Sequence, residues 1–193
     1  MINLHCSANV TRESLKFEGV AYSGGIVPGT YYGDVVIDLS TTTAPVPMAI
    51  LLEHDRGQRI GIGEHITLGA DMRVTGTLLD NDLGREVATE SEQGFPWQMS
   101  VHVQPGRVDE VLSGQTAIVN GRTFTGPVSI FRDAAIREIS FTPTGMDSNT
   151  YAKALAASRN PLTTDARQRY LGENPYKYST NPLIQDAKKR GWL

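Results

Sequence analysis

A histidine, a serine and a carboxylate stand in three separate stretches of this chain. They are Leu51-Leu52-Glu53-His54-Asp55, Phe95-Pro96-Trp97-Gln98-Met99-Ser100-Val101 and Arg137-Glu138-Ile139-Ser140-Phe141-Thr142-Pro143, each beside a strand-like run. Serine hydrolysis needs this set of groups. A free hydroxyl is a poor nucleophile near neutral pH, so an imidazole must take its proton as it attacks. A third group fixes the imidazole tautomer and stabilises the ring once it is charged. An unperturbed imidazole titrates near ~6.5, so its neutral form dominates at neutral pH and can serve as that base.

The elements that carry these residues read mostly as strand. In a strand at 97–104, alternate side chains share a face, so Gln98, Ser100 and His102 point one way and Trp97, Met99, Val101 and Val103 point into a core. The same alternation puts Ile136, Glu138 and Ser140 on one face of a strand at 136–142. Glu138 could there accept the His54 Nδ1–H, or equally pair with Arg137 or Arg132 as surface charge. His54 ends the short apolar run Ala49-Ile50-Leu51-Leu52. Other strands are expected at 15–22, 31–39, 59–67, 71–79, 107–112, 116–119 and 128–131. Asn120-Gly121 is a two-residue hairpin signal. Helix is expected only at 83–92, stopped by Gly94 and Pro96, and at 148–158. Many short strands with few helices predict a mainly β protein, a closed or nearly closed barrel. No Gly-x-Ser-x-Gly elbow is present, which argues against an α/β-hydrolase. The four histidines lack metal-site spacing, so neither a metal nor a cofactor is expected.

The wording of the three stretches resembles the tailed-phage prohead serine proteases, related in fold to herpesvirus assemblin. The histidine block with Ile60-Gly61 after it, the block ending in Ser100, the hairpin Asn120-Gly121-Arg122-Thr123-Phe124-Thr125-Gly126-Pro127 and the run from Arg137 to Asp147 carry the likeness across roughly residues 15–155. The resemblance implies an assemblin-like barrel with Ser100 as nucleophile, His54 as base and Glu138 as orienting acid. The family often has a small residue two positions after the nucleophile, whereas this chain has His102. Assemblin-type enzymes use a second histidine as the third member, which gives His102 a rival claim; its adjacency to Ser100 favours lining the substrate groove. Oxyanion donors are sought among backbone amides near Ser100 and the side chains of Arg132 and Arg137, with no basis for choosing between them.

Composition bounds the rest. At 193 residues the chain fits one ordinary domain with a tail. No apolar run approaches the ~20 residues that span a bilayer, and the N-terminus lacks a secretory layout. The single cysteine, Cys6, suits a reducing compartment and reads as an ordinary thiol. Residues 159–193 hold seven Lys or Arg and three acids, a net of +4, which leaves −7 for residues 1–158 within the total of −3. The expected division is therefore a barrel at 1–158 and a basic tail at 159–193, broken by Asn160-Pro161, Asn174-Pro175 and Asn181-Pro182. That tail reads as a solvated linker or a weak nucleic-acid contact, and the resemblance implies that it could be the start or remnant of a scaffolding segment.

The expected function is a serine endopeptidase, encoded by a phage or prophage, acting in the host cytoplasm inside the assembling prohead. The resemblance implies that it cleaves scaffold segments, the major capsid protein and itself, with activity raised by crowding or homodimerisation. A second reading keeps the barrel without the activity, as a non-catalytic scaffold or capsid-interaction protein.

Overall fold

The computed structural model describes residues 15–155 and the single position 189. Residues 15–155 belong to one compact unit, Met1–Ala157. The expectations for Cys6 and for the tail at 159–193 lie outside the described residues.

Alternating and apolar runs become strands in the order β1 (Lys16–Tyr22), β2 (Val27–Thr30), β3 (Gly33–Ile37), β4 (Met48–Leu52), β5 (Asp55–Leu68) and β6 (Met72–Leu78). After helix α1 (Asp82–Glu92) come β7 (Gln98–Gln104), β8 (Arg107–Val111), β9 (Thr116–Val119), β10 (Arg122–Thr125), β11 (Val128–Arg132), β12 (Ala135–Thr142) and β13 (Tyr151–Leu155). The fold is mainly β. Seven strands form one sheet in the order β13-β1-β6-β5-β4-β12-β7, and four form a second in the order β2-β3-β11-β8. The large sheet curls until its ends approach each other. The Ala152 N–H donates to the Trp97 carbonyl at 2.8 Å and the Met99 N–H to Thr150 Oγ1 at 3.3 Å. The barrel is thus nearly closed.

Its core holds Phe17, Ile50, Met72, Met99, Ile139 and Phe141, all buried, together with Val35, Ile37 and Phe131 from the second sheet. Phe17 meets Phe141 edge-on at 5.4 Å. Burial of each such side chain stabilises the fold by roughly 1.5–3 kcal/mol before entropy is counted. Closure depends on Gly19: a Cβ there would lie 2.4 Å from the Tyr151 carbonyl oxygen and 2.5 Å from Met99 Sδ. Gly19→Ala is therefore expected to destabilise the protein by about 1–3 kcal/mol or more, read as a lower midpoint in urea.

Local signals explain several joints. Asn81 caps α1 by accepting the Gly84 N–H at 2.7 Å, and Gly94, with φ of 86°, ends the turn that follows. Asn120 and Gly121 both have positive φ (52° and 74°), as a type I′ hairpin requires. Two expectations need correction. Residues 31–39 are not one strand, because Tyr31-Tyr32 form the exposed turn between β2 and β3. The helix expected at 148–158 is instead β13 over 151–155, paired antiparallel to β1 from Tyr151↔Val20 to Leu155↔Lys16. Pairing with the β1 edge outweighs the weak helical preference of an alanine-rich run. Ala152 and Ala154 are small enough to sit on the buried face of the pleat.

Candidate active site

The site begins at a strained turn. Leu52 pairs with Asp55 across the β4–β5 hairpin, so Glu53 and His54 are its two central residues, with φ of 53° and 59°. Left-handed backbone costs an ordinary L-residue roughly 1–2 kcal/mol, and Asn-Gly would be the cheaper occupant. Contacts with β12 hold the turn in place: the Glu53 N–H donates to the Phe141 carbonyl at 3.0 Å and the His54 N–H to Ser140 Oγ at 3.1 Å. These bonds continue the parallel pairing of β4 with β12, in which Ser140 faces Leu51.

A bulge in β12 then aims the carboxylate. Against β7, Ile136 pairs with Val103 while Glu138 pairs with His102, so Arg137 is the extra residue. Simple alternation puts Ile136 beside Glu138; the bulge turns Ile136 into the core, where it is buried, and leaves Arg137 on the rim of the site. Re-aiming a side chain in this way is a characteristic effect of β-bulges. Glu138 Oε2 lies 2.8 Å from His54 Nδ1, and Oε1 accepts the Ser140 hydroxyl. With the proton on Nδ1, the ring's Nε2 is the free acceptor, the form a general base needs.

Ser100 stands directly across from Ser140, and His102 directly across from Glu138. Opposed residues in an antiparallel pair project from the same face, so the register puts Ser100 on the face that carries the His54–Glu138 pair. Ser100 is half-buried, its strand anchored by buried Trp97 and Met99 on the other face. Its Oγ makes no hydrogen bond among the described residues. Ser100 lines a cavity of about 140 Å³ with Tyr22, Ile37, Met99 and Phe131. His54, His102, Glu138, Arg56, Arg59 and Arg137 line another of about 450 Å³.

The two arginines that sequence reasoning could not separate are far apart in role. Arg132 ion-pairs with buried Asp38 and, at 2.7 Å, with Asp109 in the second sheet, and it does not line the His54 cavity. Arg137 does line it, its Nε and Nη2 donating to Gln104 Oε1 at 3.0 and 2.8 Å.

Ser140 is the residue that sequence reasoning left without a role. It is fully buried and joins the His54 backbone to the Glu138 carboxylate. The Glu-x-Ser spacing was visible; that a histidine backbone would arrive above it was not. Ser140→Ala is expected to cost about 1–3 kcal/mol of stability, since it leaves a buried donor and acceptor unmatched. It should lower turnover less than loss of Glu138 does, which chemical denaturation and steady-state rates would measure.

No family model matches the chain, and no curated protein matches it. Among solved structures, a crystal structure of KSHV protease in complex with a hexapeptide phosphonate inhibitor is similar at a TM-score of 0.43 and 12% identity. That match covers 93% of this chain and 89% of the other. Similarity at that level assigns no residue a role.

Proposed function

We propose that this protein is a serine endopeptidase. Ser100 attacks the peptide carbonyl, His54 takes the hydroxyl proton and returns it to the leaving amine, and Glu138 holds the imidazole and stabilises its charged form. The observation that carries the reading is the 2.8 Å contact between His54 Nδ1 and Glu138, in a register that also sets Ser100 on the same sheet face. Catalytic hydrogen bonds are often long before substrate binds, so a Ser100 hydroxyl without a partner among the described residues is compatible with this role. Of the two arginines, Arg137 and not Arg132 lines the cavity that holds His54 and Glu138, which favours it as the oxyanion donor. No cofactor enters the scheme.

The biological setting proposed is capsid maturation in a tailed phage, inside the prohead in the host cytoplasm. The substrates would be scaffold segments, the major capsid protein and the protease itself, with activity weak in the isolated monomer until crowding or homodimerisation during assembly raises it. The wording of the His54, Ser100 and Glu138 stretches supports this setting.

Co-expression of the wild type or Ser100→Ala with its coat and scaffold proteins, read by intact mass, tests it. Discrete truncations that vanish in the variant are expected. Unprocessed partners that assemble equally well with both would overturn the reading in favour of a non-catalytic assembly role.

A further inference from the structure

A pocket of about 340 Å³ lies at the seam where the large sheet nearly closes, and Ser91, Phe95, Pro96, Trp97, Tyr151 and Lys153 are on its walls. It shares no lining residue with the cavities that hold Ser100 and His54. Two buried polar atoms of its lining residues, Trp97 Nε1 and Ser91 Oγ, have no hydrogen-bond partner among the described residues. Trp97 is only 8% exposed, so bulk water does not serve its indole N–H. A buried donor left unmatched is costly, and each such group in a folded protein calls for an explanation.

The fold builds an aromatic wall here. Gly94 turns the chain back at the end of α1, where the Phe95 N–H donates to the Glu90 carbonyl at 2.9 Å. The Phe95 and Trp97 ring centroids then lie 4.7 Å apart. From β13 come Tyr151 and Lys153, on the exposed face of that strand. Phe95 and Tyr151 are both exposed. The acceptors nearby are already taken: Gln98 Oε1 receives the Gly145 N–H at 2.6 Å, Thr150 Oγ1 the Met99 N–H at 3.3 Å, and the Trp97 carbonyl the Ala152 N–H at 2.8 Å. No carboxylate is among the lining residues. The pocket therefore still offers aromatic surface and hydrogen-bond donors.

We infer that this pocket docks a proline-rich segment of a partner protein, held as a polyproline II helix against Phe95, Trp97 and Tyr151. A proline has a carbonyl but no N–H, so such a segment brings acceptors to a pocket whose free groups are donors. The polyproline II backbone makes no internal hydrogen bonds, and aromatic-lined grooves recognise it because little entropy is lost on docking. Charge favours a Lys or Arg beside the prolines. The one basic residue of α1, Arg85, is tied to Asp80 and Asp82, while Glu86 and Glu90 form no ion pair among the described residues. Residues 1–158 as a whole carry a net charge of −7. The inference does not depend on the endopeptidase reading.

The full chain carrying Ser100→Ala, so that no peptide is cleaved, would be titrated into fluorescein-labelled Ala-Pro-Pro-Leu-Pro-Pro-Lys and into a control with every Pro replaced by Ala. Fluorescence anisotropy is expected to show about tenfold tighter binding of the proline peptide. Phe95→Ala should remove that preference. Ser91→Ala should weaken proline-peptide binding by about threefold or more, the loss of one hydrogen bond. Its thermal melt should stay unchanged or rise, because the hydroxyl has no partner among the described residues. With Trp192→Phe added, Trp97 is the one indole left in the chain, and its emission should shift when the proline peptide binds. Equal binding of the two peptides would point to plain strand addition at the β13 edge and overturn the inference. So would no binding of either peptide, or a proline preference that survives both Phe95→Ala and Ser91→Ala.

Discussion

Ser100→Ala is expected to abolish peptide hydrolysis and labelling by a fluorophosphonate, while the thermal melt stays close to wild type. Removing the nucleophile of a cooperating set lowers turnover by on the order of 10⁶, because base and orienting acid then have no hydroxyl to act on. The effect on stability should be small. Ser100 is half-buried, its Oγ has no hydrogen-bond partner among the described residues, and the strand is held by Trp97 and Met99 rather than by the serine. Ser140→Ala supplies the contrast, since Ser140 is buried and bonded but is not the proposed nucleophile. Labelling should persist in Ser140→Ala. Labelling that survives in Ser100→Ala and disappears in Ser140→Ala would move the nucleophile one strand across the sheet.

Glu138→Gln carries the second large effect, a fall in turnover of roughly 10³–10⁴ with the fold retained. The amide is nearly the same size as the carboxylate and can still hydrogen-bond to Ser140, so the bulge and the β4–β5 turn should survive. It cannot stabilise a charged imidazole. If its NH2 faces Nδ1, it also selects the tautomer whose Nε2 is protonated and unable to take the Ser100 proton. Single-turnover kinetics on a cleavable substrate would measure the loss. A change of less than about threefold would show that the His54–Glu138 contact is structural, and His102, directly across from Glu138, would then become the third member to test.

Much of this site could be read in the linear order of residues. The alternation around Ser100 named its face and its anchors, because period-two patterning depends only on neighbours in the chain. Asn120-Gly121 named its own turn for the same reason, since left-handed backbone is cheap there. The candidate base and acid stood out by type and by the company they keep. The same alternation, continued through Arg137, put Ile136 on the wrong face, and an alanine-rich run suggested helix where β13 forms.

These failures share a cause. A bulge is defined by the partner strand, and nothing within Ala135–Thr142 says that Val103 will meet Ile136 while His102 meets Glu138. A strand added at an edge is likewise chosen by that edge, here β1, with Gly19 leaving room for Tyr151. By itself, then, the sequence determined which groups are available for chemistry, the mainly β character and the local turns, all governed by short-range sterics and patterning. Only the tertiary structure decided that Ser140 ties His54 to Glu138, that Arg137 and not Arg132 reaches the cavity, and that three arginines gather there. Those outcomes depend on parallel β4–β12 pairing and on strand register, contacts between segments some 90 residues apart that no local pattern encodes.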